Sequence, residues 1–184
     1  MVMWQTSLDP FITIIPTQSP SIAAILLNIP GYCPSAHVSL YLPTSGQEVQ
    51  FVSALATLDN CLEDLLSKYE NLQIFLRGDA NVNPNNVSRS SLFKHFVSKF
   101  SLLSVQLSHP TYHHFLGNGA FDSTIDVLLH SDTTLNTEVL SQVVCKLQNP
   151  LILSHHDIIL SVLPPQPLLN QMKTLWLLKL TIIE

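Results

Sequence analysis

The sequence predicts a layered domain of strands and helices, α/β or α+β. Three observations point there. Runs of aliphatic and β-branched residues sit between prolines, one long apolar stripe recurs at helical spacing, and short buried-strand patterns flank two amphipathic helices. At 184 residues the chain is sized for one domain with a short extra segment. Residues 1–163 are expected to form the domain, and residues 164–184 to stand as an unassigned tail.

The first half reads as strands and then a helix. Residues 11–15 and 21–27 are β-rich apolar runs separated by Pro16 and Pro20, which break ladders, so together they predict a hairpin. Residues 36–42 alternate, with His37, Ser39 and Tyr41 on one side and Val38, Leu40 and Leu42 on the other. That period of two predicts a strand with one buried face. After Pro43, Thr44 with Gln47 or Ser45 with Glu48 has the spacing of a capping box. Phe51, Leu55, Leu58, Leu62, Leu65 and Tyr69 then form one stripe over five turns, which predicts a helix buried along that side. The stripe stops at Tyr69 and a strand pattern follows, so the helix is not a coiled coil.

Residues 72–76 predict a short buried strand running into a loop over 77–86 crowded with turn formers. Ser90 is expected to cap a second helix whose inner side carries Leu92, Phe93, Phe96, Val97 and Phe100. Strands are expected at 102–107, 124–129, 138–147 and 158–162. From Pro164 the composition changes, and residues 172–183 have no assignable partner. There are no internal repeats.

Composition narrows the class. The chain is 46% hydrophobic and 11% charged, against about 25% charged in ordinary domains, and a mean hydropathy of +0.29 excludes intrinsic disorder. No apolar run reaches the ~18 residues of a membrane span; the most apolar stretch, 175–183, is short and interrupted by Lys179. No basic segment precedes an apolar core at the start. A soluble, nuclear or cytoplasmic protein with no membrane partner is expected, not a secreted one. Eight Lys and Arg against 13 Asp and Glu give a net charge of −5, which argues against a basic wrapper of nucleic acid. It leaves room for a local basic patch or for a metal that meets phosphate. Cys33, Cys61 and Cys145 are an odd, widely spaced set, read as reduced, mostly buried thiols, with a lone reactive nucleophile as the competing reading.

Three segments could carry chemistry. In Gly78-Asp79-Ala80-Asn81 a carboxylate and an amide stand two residues apart at the end of a buried strand. In extended chain they point to the same side and could converge on one water or metal. The competing reading is a turn that satisfies its own backbone with short polar side chains. Arg77-Gly78-Asp79 also spells an integrin-binding tripeptide, a chance match without secretion signals. The second segment holds Thr111, Tyr112, His113 and His114, then Ser123-Thr124-Ile125-Asp126. Neighbouring histidines on a strand face opposite ways, so His113 and His114 do not readily share a zinc ion. Asp126 stands before the apolar run 127–129, where an unpaired acid is costly. The third is Ser154-His155-His156-Asp157, where a histidine could pair with Asp126 and present its other nitrogen to a substrate.

The order and placement of these segments resemble the endonuclease/exonuclease/phosphatase superfamily, and in particular the endonuclease domains of non-LTR retrotransposons. Gly78-Asp79-Ala80-Asn81 is similar to the family's Gly-Asp-Phe-Asn strand end, and Tyr41-Leu42-Pro43 to its Tyr-x-Pro. Thr111-Tyr112 with Ser123-Thr124-Ile125-Asp126 is similar to its Thr-aromatic and Ser-x-Ile-Asp block, and Ser154-His155-His156 to its Ser-Asp-His. The resemblance covers residues 1–162. It implies a four-layer α/β sandwich, two packed, mostly antiparallel sheets flanked by helices, with the motif loops at one edge. It also implies hydrolysis of phosphodiester bonds assisted by Mg²⁺ or Mn²⁺, with DNA as the substrate of the intact domain and no specific protein partner indicated. Asp79 would activate the attacking water and Asn81 would position it. His156, oriented by Asp126, would face the scissile phosphate, with Tyr41 on a phosphate oxygen, so that Tyr41, Asn81 and His156 bind phosphate.

Three departures bear on activity. The family's Asn on its first strand and metal-binding Glu on its second precede the segment that matches Met1, so the domain is expected to be N-terminally truncated and to leave strand edges unpaired. Asp79 would remain as a weak metal ligand. His155 stands in place of the family's Asp before the terminal His, and Ala80 replaces Phe. Mg²⁺ is held by oxygen ligands, so the expected outcome is a weak or inactive phosphodiesterase. The alternative is a catalytically dead remnant that binds at most a phosphate-bearing ligand or a protein.

Overall fold

A computed structural model describes residue 2 and residues 4–83, 85–104, 112–116, 119–123, 125–131, 142–145 and 158–161. The chain opens with a 3-10 turn at Thr6–Phe11, followed by strands β1 (Ile12–Ile15) and β2 (Ile22–Leu27). They pair antiparallel, Ile12 opposite Leu27, as the two apolar runs predict. Between them the Thr17 hydroxyl donates to the Ile22 carbonyl at 2.6 Å, closing a turn that Pro16 and Pro20 exempt from the ladder.

Strand β3 (Ser35–Tyr41), helix α1 (Glu48–Lys68) and strand β4 (Gln73–Asp79) form a βαβ unit. Its strands pair in parallel from Ser35 opposite Gln73 to Tyr41 opposite Asp79. Then come α2 (Val87–Lys99), β5 (Leu102–Ser104), β6 (Tyr112–Leu116), β7 (Gly119–Ser123), β8 (Asp126–Ser131), β9 (Gln142–Cys145) and β10 (Ile158–Ser161). The main sheet has the order β1-β2-β3-β4-β8-β5, while β6 with β7 and β9 with β10 form two-stranded sheets. Only β3 and β4 run parallel within the main sheet. The chain is therefore α/β with mostly antiparallel pairing, as expected. Of the four layers that the resemblance implies, the main sheet and one helix layer lie among the described residues.

The helices bury one face of this sheet. Ala36, Val38 and Leu40 of β3, Ile74 and Leu76 of β4 and Leu129 of β8 join Phe51, Leu55, Leu58, Leu62 and Leu65 of α1 and Phe93 and Phe96 of α2 in one cluster. The α1 residues are the stripe read from sequence. Leu58 and Leu62 are completely buried, and each such leucine contributes about 1.5–3 kcal/mol. Lys99 at the end of α2 reaches Asp59 and Glu63 of α1 at 2.6 and 2.8 Å, a surface link weakened by solvent and salt screening.

Several local expectations change. Neither capping box forms: Gln47 is the cap of α1 without a side-chain bond, and Glu48 turns to Arg89 instead. Asn86, not Ser90, caps α2, its side chain accepting from the Arg89 N–H, and Leu92 faces outward while Phe93, Phe96 and Phe100 face in. Strand β4 runs three residues past Leu76, because its backbone groups there find partners on both β3 and β8. Cys33 and Cys61 are free and half-buried rather than buried. Residues 164–184 lie outside the described residues.

The second face of the central strands also differs from expectation. The alternation puts His37 on the side of β3 opposite Val38 and Leu40, yet it too is buried, stacked on Phe75 at 5.1 Å between ring centroids and 3.0 Å from the Ser35 hydroxyl. From Ser35 to Val38 the strand is buried on both faces. Burial, aided by the nearby Arg77 guanidinium, pulls the His37 pKa from 6.5 to about 3. The folded protein thus keeps His37 neutral while the unfolded chain takes up a proton below about pH 6.5. Stability should fall as pH drops from 6.5 toward 3, by at most about 1.4 kcal/mol per pH unit from this residue. Urea unfolding between pH 7 and 4 should show a shallower decline for His37→Gln than for the natural chain; equal slopes would contradict the assignment.

Candidate active site

The site is built at the end of β4, and glycine makes that end possible. Gly78 has φ of +132°, and a Cβ there would lie 1.9 Å from the Leu40 carbonyl oxygen. Only a residue without a side chain allows β4 to approach β3 so closely. Beyond it, the Asp79 carbonyl accepts from Leu42 N–H at 2.8 Å and Ala80 N–H donates to the Ile125 carbonyl at 3.0 Å. Ala80 is fully buried in the core cluster, so the position that holds Phe in the resembled family is filled here by a smaller apolar group.

Asn81 then turns the chain with φ of +48°, a left-handed conformation that asparagine tolerates better than most residues. Its backbone N–H donates to Asp79 Oδ1 at 2.7 Å, and its side-chain Nδ2 donates to Asp79 Oδ2 at 3.0 Å and to the Leu42 carbonyl at 2.8 Å. Of the two readings of this segment, the turn that satisfies its own backbone is the one that forms. Asp79 and Asn81 do come together, but through a turn closed on the carboxylate, not through extended chain. Both oxygens of Asp79 are oriented by N–H donors, and both donors belong to Asn81.

The register of the sheet extends this pair into a row. Tyr41 of β3 lies opposite Asp79 of β4, and Asp79 lies opposite Asp126 of β8. Asp79 and Asp126 are 3% and 4% exposed, while Tyr41 is 46% exposed at the rim. Directly opposed side chains in a sheet have Cβ atoms about 4.5–5.5 Å apart, where like charges are unfavourable. Two buried acids side by side are therefore a feature that packing alone does not favour. Burial of Arg77 and Asp79 within β4 also removes the integrin-type tripeptide from the surface.

The sequence-predicted residues Tyr41, Asp79, Asn81 and Asp126 are brought together. His155 and His156, the expected replacement ligand and terminal histidine, lie outside the described residues, as does Thr111. His113 and His114 fall on β6, opposite Asp122 and Phe121 of β7. Among the described residues no three His, Cys, Asp or Glu side chains gather closely enough to hold a metal. No helix among them is long and apolar enough to cross a membrane.

Sequence reading missed Arg89. This guanidinium is 1% exposed, lies over the Phe51 ring at 4.5 Å, and donates to Glu48 at 2.7 Å, to the Pro43 carbonyl at 2.7 Å and to the Thr44 carbonyl at 2.6 Å. A longer contact of 3.4 Å reaches the Asn81 carbonyl. One side chain of α2 thereby ties the loop after Tyr41, the start of α1 and the turn after Asp79. A signal was present: Arg89, Phe93, Phe96 and Phe100 recur at +4, +3 and +4, so the arginine occupies a position of the buried stripe. Removing it strands a half-exposed carboxylate and several carbonyls. Arg89→Met should lose about 1–3 kcal/mol in urea unfolding, from the carbonyls left without a donor, and Arg89→Lys should recover only part because an ammonium lacks the planar fork. A loss below 1 kcal/mol for Arg89→Met would contradict the clamp.

Neither a protein-family model nor a curated protein sequence matches the chain. Solved structures do. The endonuclease domain of TRAS1, a telomere-specific non-LTR retrotransposon, superposes with a TM-score of 0.59 at 17% identity over 79% of this chain and 66% of that domain. Truncated TDP2 of Caenorhabditis elegans gives 0.46 at 15% identity over 65% of this chain and 51% of its own. ANGEL2, a 2′,3′-cyclic phosphatase, gives 0.47 at 14% over 65% and 54%. The chain spans about two thirds of the TRAS1 domain and about half of the others. From the sheet order, the helix layer and the TRAS1 match, the chain carries the fold of the endonuclease/exonuclease/phosphatase superfamily.

Proposed function

We propose that the chain is a phosphodiester-hydrolysing domain of the endonuclease kind, of retroelement origin, whose natural substrate is DNA and whose turnover is weak or lost in the chain as it stands. The observation that carries this reading is the row Tyr41–Asp79–Asp126 at the strand mouths, with Asn81 bonded to the Asp79 carboxylate. The TRAS1 endonuclease domain, which shares the fold, supports the kind of chemistry. A nuclear or cytoplasmic setting goes with that substrate.

The chemistry assigned to each residue follows from what its group can do. Hydrolysis requires a base for the attacking water, donors for the charge on the phosphate, and an oriented acid or donor near the leaving oxygen. Asp79, whose carboxylate is fixed by two N–H donors, takes the water's proton. Asn81 offers its amide oxygen to the same water. The Tyr41 hydroxyl, at the exposed rim, donates to a phosphate oxygen. His156 faces the scissile phosphate, and Asp126 sets its tautomer and orientation.

A divalent cation in such a site would neutralise charge developing on the phosphate. Mg²⁺ calls for about six oxygen ligands in strict octahedral geometry. The described residues offer the carboxylates of Asp79 and Asp126, and both Asp79 oxygens already accept from Asn81. This set does not fit a resident Mg²⁺ or Mn²⁺, and no step is assigned to one. The same shortfall favours the second reading, a catalytically dead remnant that retains the fold and binds a phosphate-bearing ligand or a protein partner.

Nicking of supercoiled plasmid separates these readings. In Mg²⁺ or Mn²⁺ the chain should give no more than trace nicking, and Asp79→Asn should lower that trace by about 10²-fold or more, the usual contribution of a general base. Robust nicking that vanishes in Asp79→Ala and His156→Ala would overturn the weak-turnover reading. A trace indifferent to Asp79→Asn, together with no retention of a phosphodiester oligonucleotide, would sink the hydrolase reading as a whole.

A further inference from the structure

The central strands have one apolar face and one polar face. Opposite the helix layer, β3 presents Ser35, His37, Ser39 and Tyr41, β4 presents Gln73, Phe75, Arg77 and Asp79, and β8 presents Asp126, Leu128 and His130, as the alternation and registers require. Most of these side chains are buried. A buried polar face calls for partners, and two of its groups lack them.

Arg77 is the sharper case. It is 7% exposed, and among the described residues its Nε, Nη1 and Nη2 all lack a hydrogen-bond partner. Arg89, equally buried, shows how this fold satisfies a guanidinium when the partner is internal: a carboxylate, two close carbonyls and an aromatic ring. Arg77 has none of these. Burial lowers its pKa only to about 10, so it is a cation at neutral pH. On the neighbouring strand His37 Nδ1 is likewise buried without a partner, while its Nε2 lies 3.0 Å from the Ser35 hydroxyl. When that hydroxyl donates to Nε2, the ring proton is on Nδ1, which becomes a second donor.

By register Arg77 lies between Ser39 and Leu128, one row inward from Tyr41, Asp79 and Asp126, about 7 Å along the strand at ~3.4 Å per residue. His37 is one row further in, on β3. A cation and a neutral N–H donor therefore lie within two rows on one covered face, beneath the rim where Tyr41 is exposed. Asp79 and Asp126 lie one row, about 7 Å, from Arg77; what its buried N–H groups lack is a hydrogen-bonded acceptor, a lack that costs stability and that an oxyanion entering the site removes.

We propose that Arg77 anchors an oxyanion site on the polar face of the main sheet, taking a phosphate group, with His37 Nδ1 as the second donor. The planar fork of Arg77 matches two oxygens of a tetrahedral phosphate, and a further oxygen remains for the imidazole, which a carboxylate could not supply. The site stands one row away from the carboxylates assigned to water activation and requires no hydrolysis, so it holds whether or not the chain turns over.

Thermal unfolding of the 184-residue chain in inorganic phosphate tests this, against chloride at matched ionic strength and pH 7. The natural chain should show a saturable rise in Tm of roughly 2–4 °C. Arg77→Met should lose that phosphate-specific rise and, in chloride, should melt at or above the natural chain, because buried N–H groups without a hydrogen-bonded acceptor have been removed. General salting effects of phosphate stabilise both proteins alike, so the difference between them is the readout. Broadening of the ³¹P resonance of phosphate by the natural chain, lost in Arg77→Met, gives a second measure. Asp79→Asn, which removes the proposed base, should keep the phosphate response, so the anion site and the hydrolytic reading fail separately. No response in the natural chain, an equal response in Arg77→Met, a response lost in Asp79→Asn, or an Arg77→Met protein that melts lower or does not fold would each overturn the proposal.

Discussion

The pairing of β4 with β3 on one side and β8 on the other is the constraint on which the rest depends. Side chains of a strand alternate between faces, so a slip of one residue would exchange the two faces of β4. Ile74 and Leu76 would leave the helix layer, and Asp79 would enter it. The register is held from both sides: the apolar positions fit α1 and α2, and the Leu40 carbonyl occupies the space where any side chain at 78 would stand. Tyr41, Asp79 and Asp126 share a row because the packing of the opposite face leaves them no other place.

The site loops are coupled to that packing through Arg89. Its position on the buried stripe of α2 is fixed by Phe93 and Phe96, and its donors fix the carbonyls of Pro43 and Thr44 in turn. The loop after Tyr41 and the turn carrying Asn81 are thus held by a helix that contributes no group to the chemistry proposed for them. Arg77 offers the contrast within one protein. Both guanidiniums are buried, yet one is saturated by the fold and the other has no hydrogen-bond partner among the described residues.

Much of this was legible in the sequence where a periodic pattern carried the information. The stripe from Phe51 to Leu65 and the runs of the first hairpin fell where structure places them, since burial of those faces dominates their energetics. The spacing of Asp79 and Asn81 pointed to a contact that does form, for an incomplete reason, because Asn81 leaves extended geometry and meets the carboxylate through a turn. The caps differ from the local pattern: Thr44 and Ser45 offer good capping chemistry, but Arg89 claims Glu48 and the Thr44 carbonyl from 41 and 45 residues away. His37 and Arg77 were unreadable in kind. Alternation shows which face a polar residue takes, and whether that face is covered depends on strands that pair later in the chain.

Asp79 and Asp126 are cross-strand neighbours, and their Cα atoms lie within the range that a disulfide spans, about 4.4–6.8 Å. The most direct measurement is therefore oxidation of an Asp79→Cys/Asp126→Cys double variant, followed by peptide mapping of the linked residues. A 79–126 disulfide formed within the monomer is the expected product. Free thiols at both positions, or a link from either one to Cys33 or Cys61, would contradict the register from which the site is built.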